Sequence, residues 1–111
     1  MAIKVFEIKD YRSSLSYKEV IIWDGAPVTI KGSIVCYGEA GYRFIAYFLP
    51  SGVQKPSAAY LQRERLGVVF LPIDEMVELT DLLEHGGCVY AYMDSEMPQL
   101  NYLCTMEECK M

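Results

Sequence analysis

The sequence contains few of the groups on which enzymes rely. It has a single histidine, His85, although histidine is the commonest general base in enzymes. His85 precedes Gly86 and Gly87 at the end of a helical pattern, where a basic side chain caps the last carbonyl groups. The motifs G-x-S-x-G, H-E-x-x-H, G-x-x-x-x-G-K and G-x-G-x-x-G do not occur. We therefore predict no catalytic residues, and a small enzyme without a recognisable signature stays only as an alternative.

Cysteine pairs with the spacing of metal sites are also missing. The chain has four cysteines, and the closest pair is the C-x4-C of "CTMEEC" rather than a C-x-x-C. Structural zinc sites have tighter paired spacings and several Cys or His ligands. We therefore predict no metal and no cofactor. We expect reduced thiols, with Cys36 and Cys88 as small core residues.

Long apolar runs are absent, and none approaches the ~20 residues that a membrane-spanning helix needs. The N-terminus, "MAIKVFEIKDY", alternates charged and apolar residues and lacks the apolar segment of a signal peptide. We therefore expect no membrane contact and a cytoplasmic location. A hydrophobic content of 52% excludes a disordered chain, and 111 residues are typical of one domain. The sequence predicts a single globular domain over 1–111, with a frayed tail at 106–111.

The charges are divided unevenly along the chain. Residues 1–66 hold nine of the ten Lys and Arg against six acids, whereas residues 67–111 hold Lys110 against nine acids. The net charge of −5 is therefore the sum of +3 in the first part and −8 in the second. Such an asymmetry indicates an interaction surface.

Alternating apolar and polar residues predict strands in the first half of the chain. Short β-rich segments occur at 3–8 and 17–23, and the polar segment "DYRSSLS" between them is predicted as a loop. Asp24 and Gly25 form a strong hairpin-turn signal. Every second residue is apolar or small from 28 to 36 and from 42 to 48, on either side of "GEAG". These two segments are predicted to form a hairpin with one buried face.

The predicted hairpin has two different faces. The face expected in the core carries Ile30, Ile34, Phe44, Ala46 and Phe48. The opposite face carries Lys31, Tyr37, Arg43 and Tyr47, beside Thr29 and Ser33. A mixture of rings, cations and hydroxyls is typical of a solvated sheet face. It is also typical of a surface on which unpaired bases stack while cations contact phosphates, so both alternatives stay open.

The segment 50–66 is the most basic part of the chain. Its end, "SAAYLQRERL", fits either a short helix from Ser57 or the arm of a hairpin. Long basic loops in compact domains are more often functional than plain connectors. We therefore add its three cations to the candidate nucleic-acid-binding site. The complete set is Lys31, Tyr37, Arg43, Tyr47, Lys55, Arg63 and Arg65.

The clearest helix follows the short strand "LGVVFLP". In "IDEMVELTDLLEHGG", Asp74 and Glu75 lie in the first turn, and two glycines follow the last. The apolar stripe is Ile73, Met76, Val77, Leu79, Leu82 and Leu83. The segments "CVYAYM" and "LNYLCT" predict a last hairpin. Together these elements predict an α+β fold, with one antiparallel sheet of six to seven short strands and one main α-helix packed on one face.

This order of strands and helix resembles the Whirly-like fold of transcriptional coactivators that bind single-stranded nucleic acid. The resemblance covers residues 17–84, where "RLGVVFLPIDEMVELTDLL" is similar to the junction between the last strand and the helix of that fold. The final hairpin lies outside it. The resemblance implies a regulatory module whose sheet binds single-stranded nucleic acid.

A protein partner is the alternative to nucleic acid. The acidic C-terminal half fits a protein-binding adaptor or inhibitor, because complementary charge selects partners. The many tyrosine, methionine and isoleucine side chains, together with a sheet edge that has no assigned neighbour, also predict a homodimer.

Overall fold

The computed structural model describes residues 2–105, which form eight strands and one α-helix. The strands are β1 (Ile3–Glu7), β2 (Asp10–Trp23), β3 (Ala26–Tyr37), β4 (Arg43–Leu49), β5 (Ala59–Leu61), β6 (Leu66–Pro72), β7 (Val89–Asp94) and β8 (Tyr102–Thr105). The helix α1 (Met76–His85) lies between β6 and β7. The predicted α+β class is confirmed. The tail predicted at 106–111 lies outside the described residues.

The strands form two sheets, with the orders β2-β3-β4-β6-β5 and β1-β7-β8. The prediction of one antiparallel sheet with six to seven strands is therefore wrong, because the described residues form eight strands in two sheets. The larger sheet is also mixed, since β4 pairs with β6 in parallel. Parallel pairing requires a long crossover connection. Residues 50–65 supply this connection, and they include the edge strand β5.

One hydrophobic cluster lies between the two sheets and the helix. Phe44 and Phe48 of β4 and Ile34 of β3 are its buried centre, and they pack with Phe6 of β1 and Met93 of β7. The predicted hairpin is confirmed over residues 32–37 and 43–48, where Ile34 lies opposite Ala46, and Cys36 lies opposite Phe44. Residues 28–30 pair with β2 and not with β4. The buried face of that hairpin therefore joins the two sheets.

A second hydrophobic cluster covers part of the opposite face of the larger sheet. Ile45, Val68 and Phe70 are buried there, together with Ile30. The assignment of Ile30 to the same cluster as Ile34 is therefore wrong. Both lie on β3, but the β2–β3 pairing shifts register between Leu15 and Glu19. A β-bulge of this kind bends and twists a hairpin, so Ile30 packs on the other side of the sheet.

The far end of the β2–β3 hairpin forms an arm that reaches across the second cluster. Asp24 and Gly25 both have positive φ angles, 51° and 77°, as the predicted two-residue turn requires. The Trp23 ring lies 5.4 Å from the Phe70 ring, and its Nε1–H donates to the carbonyl oxygen of Ser57 at 3.1 Å. The arm thereby connects the two edges of the larger sheet.

One connecting segment differs from the sequence-based prediction, and a second shows which of two predicted structures forms. The predicted loop "DYRSSLS" is instead the first half of β2. It was missed because an edge strand with exposed side chains needs no apolar alternation. After Ser57 the chain forms the hairpin arm rather than the helix, because β5 pairs antiparallel with β6.

The helix is shorter and less deeply buried than its apolar stripe predicts. A 3-10 turn over Ile73–Glu75 precedes α1 and carries the two acids expected in the first helical turn. Met76 is buried, and Leu79 and Leu83 pack against the first cluster. Val77 is exposed, so its assignment to the buried stripe is wrong. The predicted stripe spans more of the helix surface than one packed face can cover.

The three cysteines within residues 2–105 are in three different states. Cys36 is a buried free thiol, as expected, and burial raises its pKa to about 12. Cys88 is a free thiol but is exposed, because it lies between the end of α1 and the start of β7. Cys104 is disulfide-bonded, so the expectation of reduced thiols is wrong at this position. Cysteine spacing along the chain carries too little information to predict which cysteines meet in space.

Within residues 2–105 no helix is long and apolar enough to cross a membrane.

Candidate binding surfaces

Arg12, Tyr37 and Arg43 lie on one face of the larger sheet, the face turned away from α1. Arg12 lies opposite Val35, and Tyr37 lies directly opposite Arg43. We call this surface, made by Arg12, Val35, Tyr37 and Arg43, the outer face. The ion pairs within residues 2–105 join Lys4 to Glu39, Lys9 to Glu7 and His85 to Asp81. The two arginines of the outer face are therefore free of carboxylate partners in the described part of the chain.

Lys31 lies at the bend of β3, beside the outer face. Its Nζ is 3.4 Å from the carbonyl oxygen of Tyr17 and 5.6 Å from the centre of the Tyr17 ring. Tyr17 belongs to the bulged part of β2 that faces Lys31. The ammonium group therefore already has a carbonyl and a ring as neighbours.

Tyr47 follows on the same side of β4, but its ring is partly covered. It stacks on Phe70, with 5.6 Å between ring centres and 25° between the ring planes. Burial raises the pKa of Tyr47, Glu19 raises it further, and Arg43 lowers it. One face of the ring is thus occupied. Tyr37 has no ring partner within residues 2–105, so it is the more available tyrosine.

Arg65 is part of the framework of the sheet. Its backbone lies in the left-handed region, with φ 53°, and its carbonyl oxygen accepts the N–H of Arg43 at 2.9 Å. Its guanidinium donates to the carbonyl oxygen of Ala40 and lies 5.6 Å from the Tyr42 ring. These contacts join the start of β6 to the turn between β3 and β4. A charge reversal at Arg65 would therefore test folding more than binding.

The other two candidate cations lie apart from the outer face. Lys55 borders a cleft of about 450 Å³ near Phe44 and Leu103, on the side where the two sheets meet. Arg63 is exposed in the turn between β5 and β6. The structure thus places Tyr37 and Arg43 side by side, with Tyr47 and Lys31 further along β4 and β3. The Arg65 backbone contacts Arg43, but its guanidinium contacts Ala40 and Tyr42 instead. Lys55 and Arg63 lie apart from the outer face.

Three of the nine acids in residues 67–111 lie on α1. Glu78, Asp81 and Glu84 are exposed there. Because α1 packs against the opposite side of the larger sheet, the sheet separates these acids from the outer face. The hydroxyl of Tyr11 donates to Glu84 at 3.0 Å. Partial desolvation raises the pKa of Tyr11, and the neighbouring Glu84 carboxylate raises it further.

A second surface carries the most exposed large apolar side chains of the described residues. Tyr17 is 92% exposed, Leu15 78%, Val77 76% and Ile22 70%. Three of them lie on β2, and Val77 lies on α1. We call these four residues the edge surface. This surface is not evident from the sequence, because Leu15 falls in a predicted loop and Val77 in a predicted buried stripe.

A groove of about 500 Å³ separates β2 from α1. Its β2 wall is Ser13, Ser14 and Leu15. Its helix wall is Ile73, Met76, Val77, Thr80 and Asp81. The groove is therefore apolar along most of its length, with a carboxylate on the helix side.

The buried polar side chains are used within the fold. Asn101 accepts the N–H of Asp94 at 2.8 Å and donates to the carbonyl oxygen of Ala59 at 3.0 Å. Asp94 accepts the N–H groups of Glu96 and Met97. These side chains fix the turn after β7 and connect it to β5. No group of three or more His, Cys, Asp or Glu residues is placed to bind a metal ion between residues 2 and 105.

No protein-family model, curated protein or solved structure matches this chain.

Proposed function

We propose that this protein is a small non-enzymatic binding module and that a protein partner contacts its edge surface. The observation that carries the proposal is that the four most exposed large apolar side chains of the described residues all lie on β2 or α1. Scattered apolar side chains are normal on a protein surface, but a concentration of them marks an interaction site.

The backbone of β2 supports the same conclusion. β2 has 14 residues and none of them is buried. Within residues 2–105 it pairs with β3 alone, so its other side presents open N–H and C=O groups along the sheet edge, apart from the Tyr11 N–H, which donates to the Asp10 carboxylate. A partner can therefore bind this surface in two ways at once: it buries the apolar side chains and forms hydrogen bonds with the open strand edge. This surface differs from the acidic C-terminal half predicted from the sequence, although α1 contributes acids beside it.

Site-specific photo-crosslinking in the cell that produces the protein tests the proposal. A benzophenone amino acid is placed at Leu15 or at Val77 in the full chain. The control position is Val53, an exposed apolar residue in the loop before β5. We expect a discrete adduct of the same mass from both edge-surface positions and none from position 53. Equal labelling at all three positions, or no adduct at Leu15 and Val77, would contradict the proposal.

Single-stranded nucleic acid is a second candidate ligand, and the outer face favours it. Arg12 and Arg43 form no ion pair within residues 2–105, Tyr37 lies opposite Arg43, and the helix acids are on the far side of the sheet. Asp10 lies opposite Tyr37 on β2, so the outer face also carries one acid. The overall charge of −5 opposes this function, because phosphate contacts supply most of such affinity.

Fluorescence anisotropy with a labelled oligonucleotide tests this second function. Binding should weaken with salt, with a log–log slope of about −0.7 for each phosphate contacted on a single strand. Tyr37→Ala should weaken binding by roughly 1 to 3 kcal/mol if a base stacks on the ring. Lys55→Glu, away from the outer face, is the charge control for Arg43→Glu. Binding that is absent at ~50 mM salt would remove nucleic acid from consideration.

Three sequence-based expectations remain predictions within this proposal. They are the resemblance to the Whirly-like fold, the homodimer and the cytoplasmic location. A homodimer would use the same edge surface, so sedimentation of the purified chain separates self-association from binding of another protein.

A further inference from the structure

The groove between β2 and α1 combines an open strand edge with an apolar trough. Along its β2 wall no other strand of residues 2–105 pairs with the outer side of β2. Along its helix wall Met76 packs directly over Gly32 of β3, where a Cβ atom would lie 2.9 Å from the Met76 sulfur. The absence of a side chain at Gly32 lets the helix approach the sheet, which gives the groove a closed floor.

The part of β2 that faces the groove is short and well defined. The register shift between Leu15 and Glu19 interrupts the strand beyond Leu15, and Lys18 lies in the interruption. Bulges and lysines are features that discourage strand addition at sheet edges. The open edge beside the helix is therefore residues 10–15, which span about 20 Å at 3.3 Å per residue.

We propose that this groove binds an extended peptide of a partner protein, which adds to the larger sheet as a strand beside residues 10–15 of β2. Strand addition uses backbone hydrogen bonds for affinity and pockets for alternate side chains for specificity. Alternate peptide side chains would enter the groove and contact Leu15, Met76 and Val77. The inference rests on the proposed function and specifies how the partner binds.

The charges of the groove define the chemistry of the peptide further. Asp81 lines the helix wall; one of its carboxylate oxygens lies 3.3 Å from His85 Nδ1, and the side chain is otherwise largely exposed. Glu84 follows one turn later and accepts a hydrogen bond from the hydroxyl of Tyr11 on β2. Both lie near the C-terminal end of α1, where the helix dipole is also negative. On the other side of β2, Arg12 is exposed on the outer face. The peptide should therefore carry apolar residues at alternate positions and a Lys or Arg on the groove side.

A second copy of this chain fits the groove less well. Antiparallel pairing of β2 with β2 about a two-fold axis would place both α1 helices on the same face of the joined sheet, one on each side of the seam. Asp81 and Glu84 of the two copies would then approach one another, which costs electrostatic energy. A basic peptide removes this conflict.

The experiment is a selection of displayed peptides of seven random residues against the purified full chain. We expect enrichment of sequences with apolar residues at alternate positions and with Lys or Arg at one end of the same alternate set. Leu15→Arg should lose the enriched peptides, and circular dichroism confirms that this exposed substitution leaves the fold intact. Enriched peptides without alternation, equal binding to Leu15→Arg, or no enrichment would overturn the proposal.

Backbone methylation of the best synthetic peptide tests strand addition directly. N-methylation at the alternate residues whose N–H groups face β2 should weaken binding by about tenfold, which is 1.4 kcal/mol and close to one lost hydrogen bond. N-methylation at the intervening residues should change the affinity much less. Equal effects at both sets would show that the peptide does not bind as a strand.

Charge substitutions test the basic residue. Asp81→Asn should weaken the selected peptide about two- to fivefold, and salt near ~0.5 M should remove the difference. Glu78→Gln is the matched control, because Glu78 is an exposed acid of the same helix outside the groove. Equal losses of peptide affinity in both variants would contradict a contact between Asp81 and a basic residue of the peptide.

The outcomes distinguish this inference from the proposed function. Crosslinks at Leu15 and Val77 without peptide enrichment would preserve a protein partner and reject strand addition. Enrichment with crosslinks would support both. If sedimentation shows a dimer and Leu15→Arg dissociates it, the groove binds a second copy of the chain. That result would overturn the proposal that it binds a peptide.

Discussion

β2 and β4 belong to the same sheet and have similar apolar side chains, but they are buried to very different extents. In β4, five of seven residues are buried, including Phe44 and Ile45 on opposite faces. In β2, none of 14 residues is buried, although Val20 and Ile22 are as apolar as the residues of β4. Within residues 2–105, β4 lies between β3 and β6, whereas β2 has one neighbour. β2 is also the more polar strand, but its apolar residues Val20 and Ile22 are exposed too, so position in the sheet decides burial together with composition.

The difference also separates a stabilising strand from an interacting one. The five buried side chains of β4 are removed from water, and each contributes close to a full transfer free energy to folding. Leu15 and Tyr17 on β2 remain mostly in water, so they contribute little to the stability of the isolated chain. Apolar residues that folding does not use are available to a partner.

The largest expected effect is at the centre of β4. Phe44→Ala should destabilise the protein by about 3 to 5 kcal/mol, because Phe44 is 1% exposed and its loss leaves a cavity between the two sheets. Chemical denaturation at neutral pH measures the change. A loss below ~1 kcal/mol would mean that β4 is not the packed centre and that the contrast with β2 is wrong.

A smaller effect is expected on β3, the strand between them. In Gly32→Ala the new Cβ would lie 2.9 Å from the Met76 sulfur and 2.9 Å from the carbonyl oxygen of Ser14. Overpacking of this kind costs about 1 to 3 kcal/mol. Ser33→Ala, at the next position and half-exposed, is the control and should stay within about 0.5 kcal/mol. Equal stability of the two variants would show that α1 does not approach β3 closely.

The contrast between the strands explains how much of the fold the sequence could predict. The β3–β4 hairpin was predicted because Ile34, Phe44 and Phe48 face a buried layer, and burial of one face imposes period-two alternation. The first half of β2 was predicted as a loop because nothing covers it. The parallel pairing of β4 with β6 leaves no local pattern, since it depends on a crossover of residues 50–65.

The candidate site could be predicted only in part for a related reason. Alternation places Tyr37, Arg43 and Tyr47 on one side of the hairpin, and the register agrees. It carries no information that the hairpin arm covers part of that side through Trp23 and Phe70. The edge surface could not be predicted either, because an apolar residue such as Leu15 is expected to be buried. Its exposure becomes evident only when the strand order is known.

The third prediction uses pH to test the buried side of β3. Burial raises the pKa of Cys36 from 9.0 in an exposed thiol to about 12. The unfolded chain therefore releases this proton before the folded chain does. The contribution of the protonated, buried Cys36 thiol to the free energy of unfolding is fully present below about pH 9. It is lost as the pH rises toward 12, at about 1.4 kcal/mol per pH unit.

Denaturation at several alkaline pH values, compared with Cys36→Ala, measures this slope. The variant keeps the tyrosines whose pKa burial also raises, Tyr11, Tyr47 and Tyr60, so the difference between the two proteins isolates the thiol. If the free energy of unfolding of the two proteins depends on pH in the same way, Cys36 is exposed to solvent. The buried face of β3 would then be as exposed as β2. Fast alkylation of Cys88 at neutral pH, with Cys36 protected until unfolding, checks the same contrast.

The smallest expected effect is at Leu15 on β2. Leu15→Ala should change the free energy of unfolding by less than about 0.5 kcal/mol, because the side chain is 78% exposed and its truncation leaves no cavity. Chemical denaturation measures it alongside Phe44→Ala, which removes a side chain of the same apolar kind from β4. A loss above ~1 kcal/mol at micromolar concentration would show that Leu15 is covered in solution. If that loss disappears on dilution, a second copy covers it. If the loss is independent of concentration, the chain itself closes the groove, and no partner is needed to explain the apolar edge.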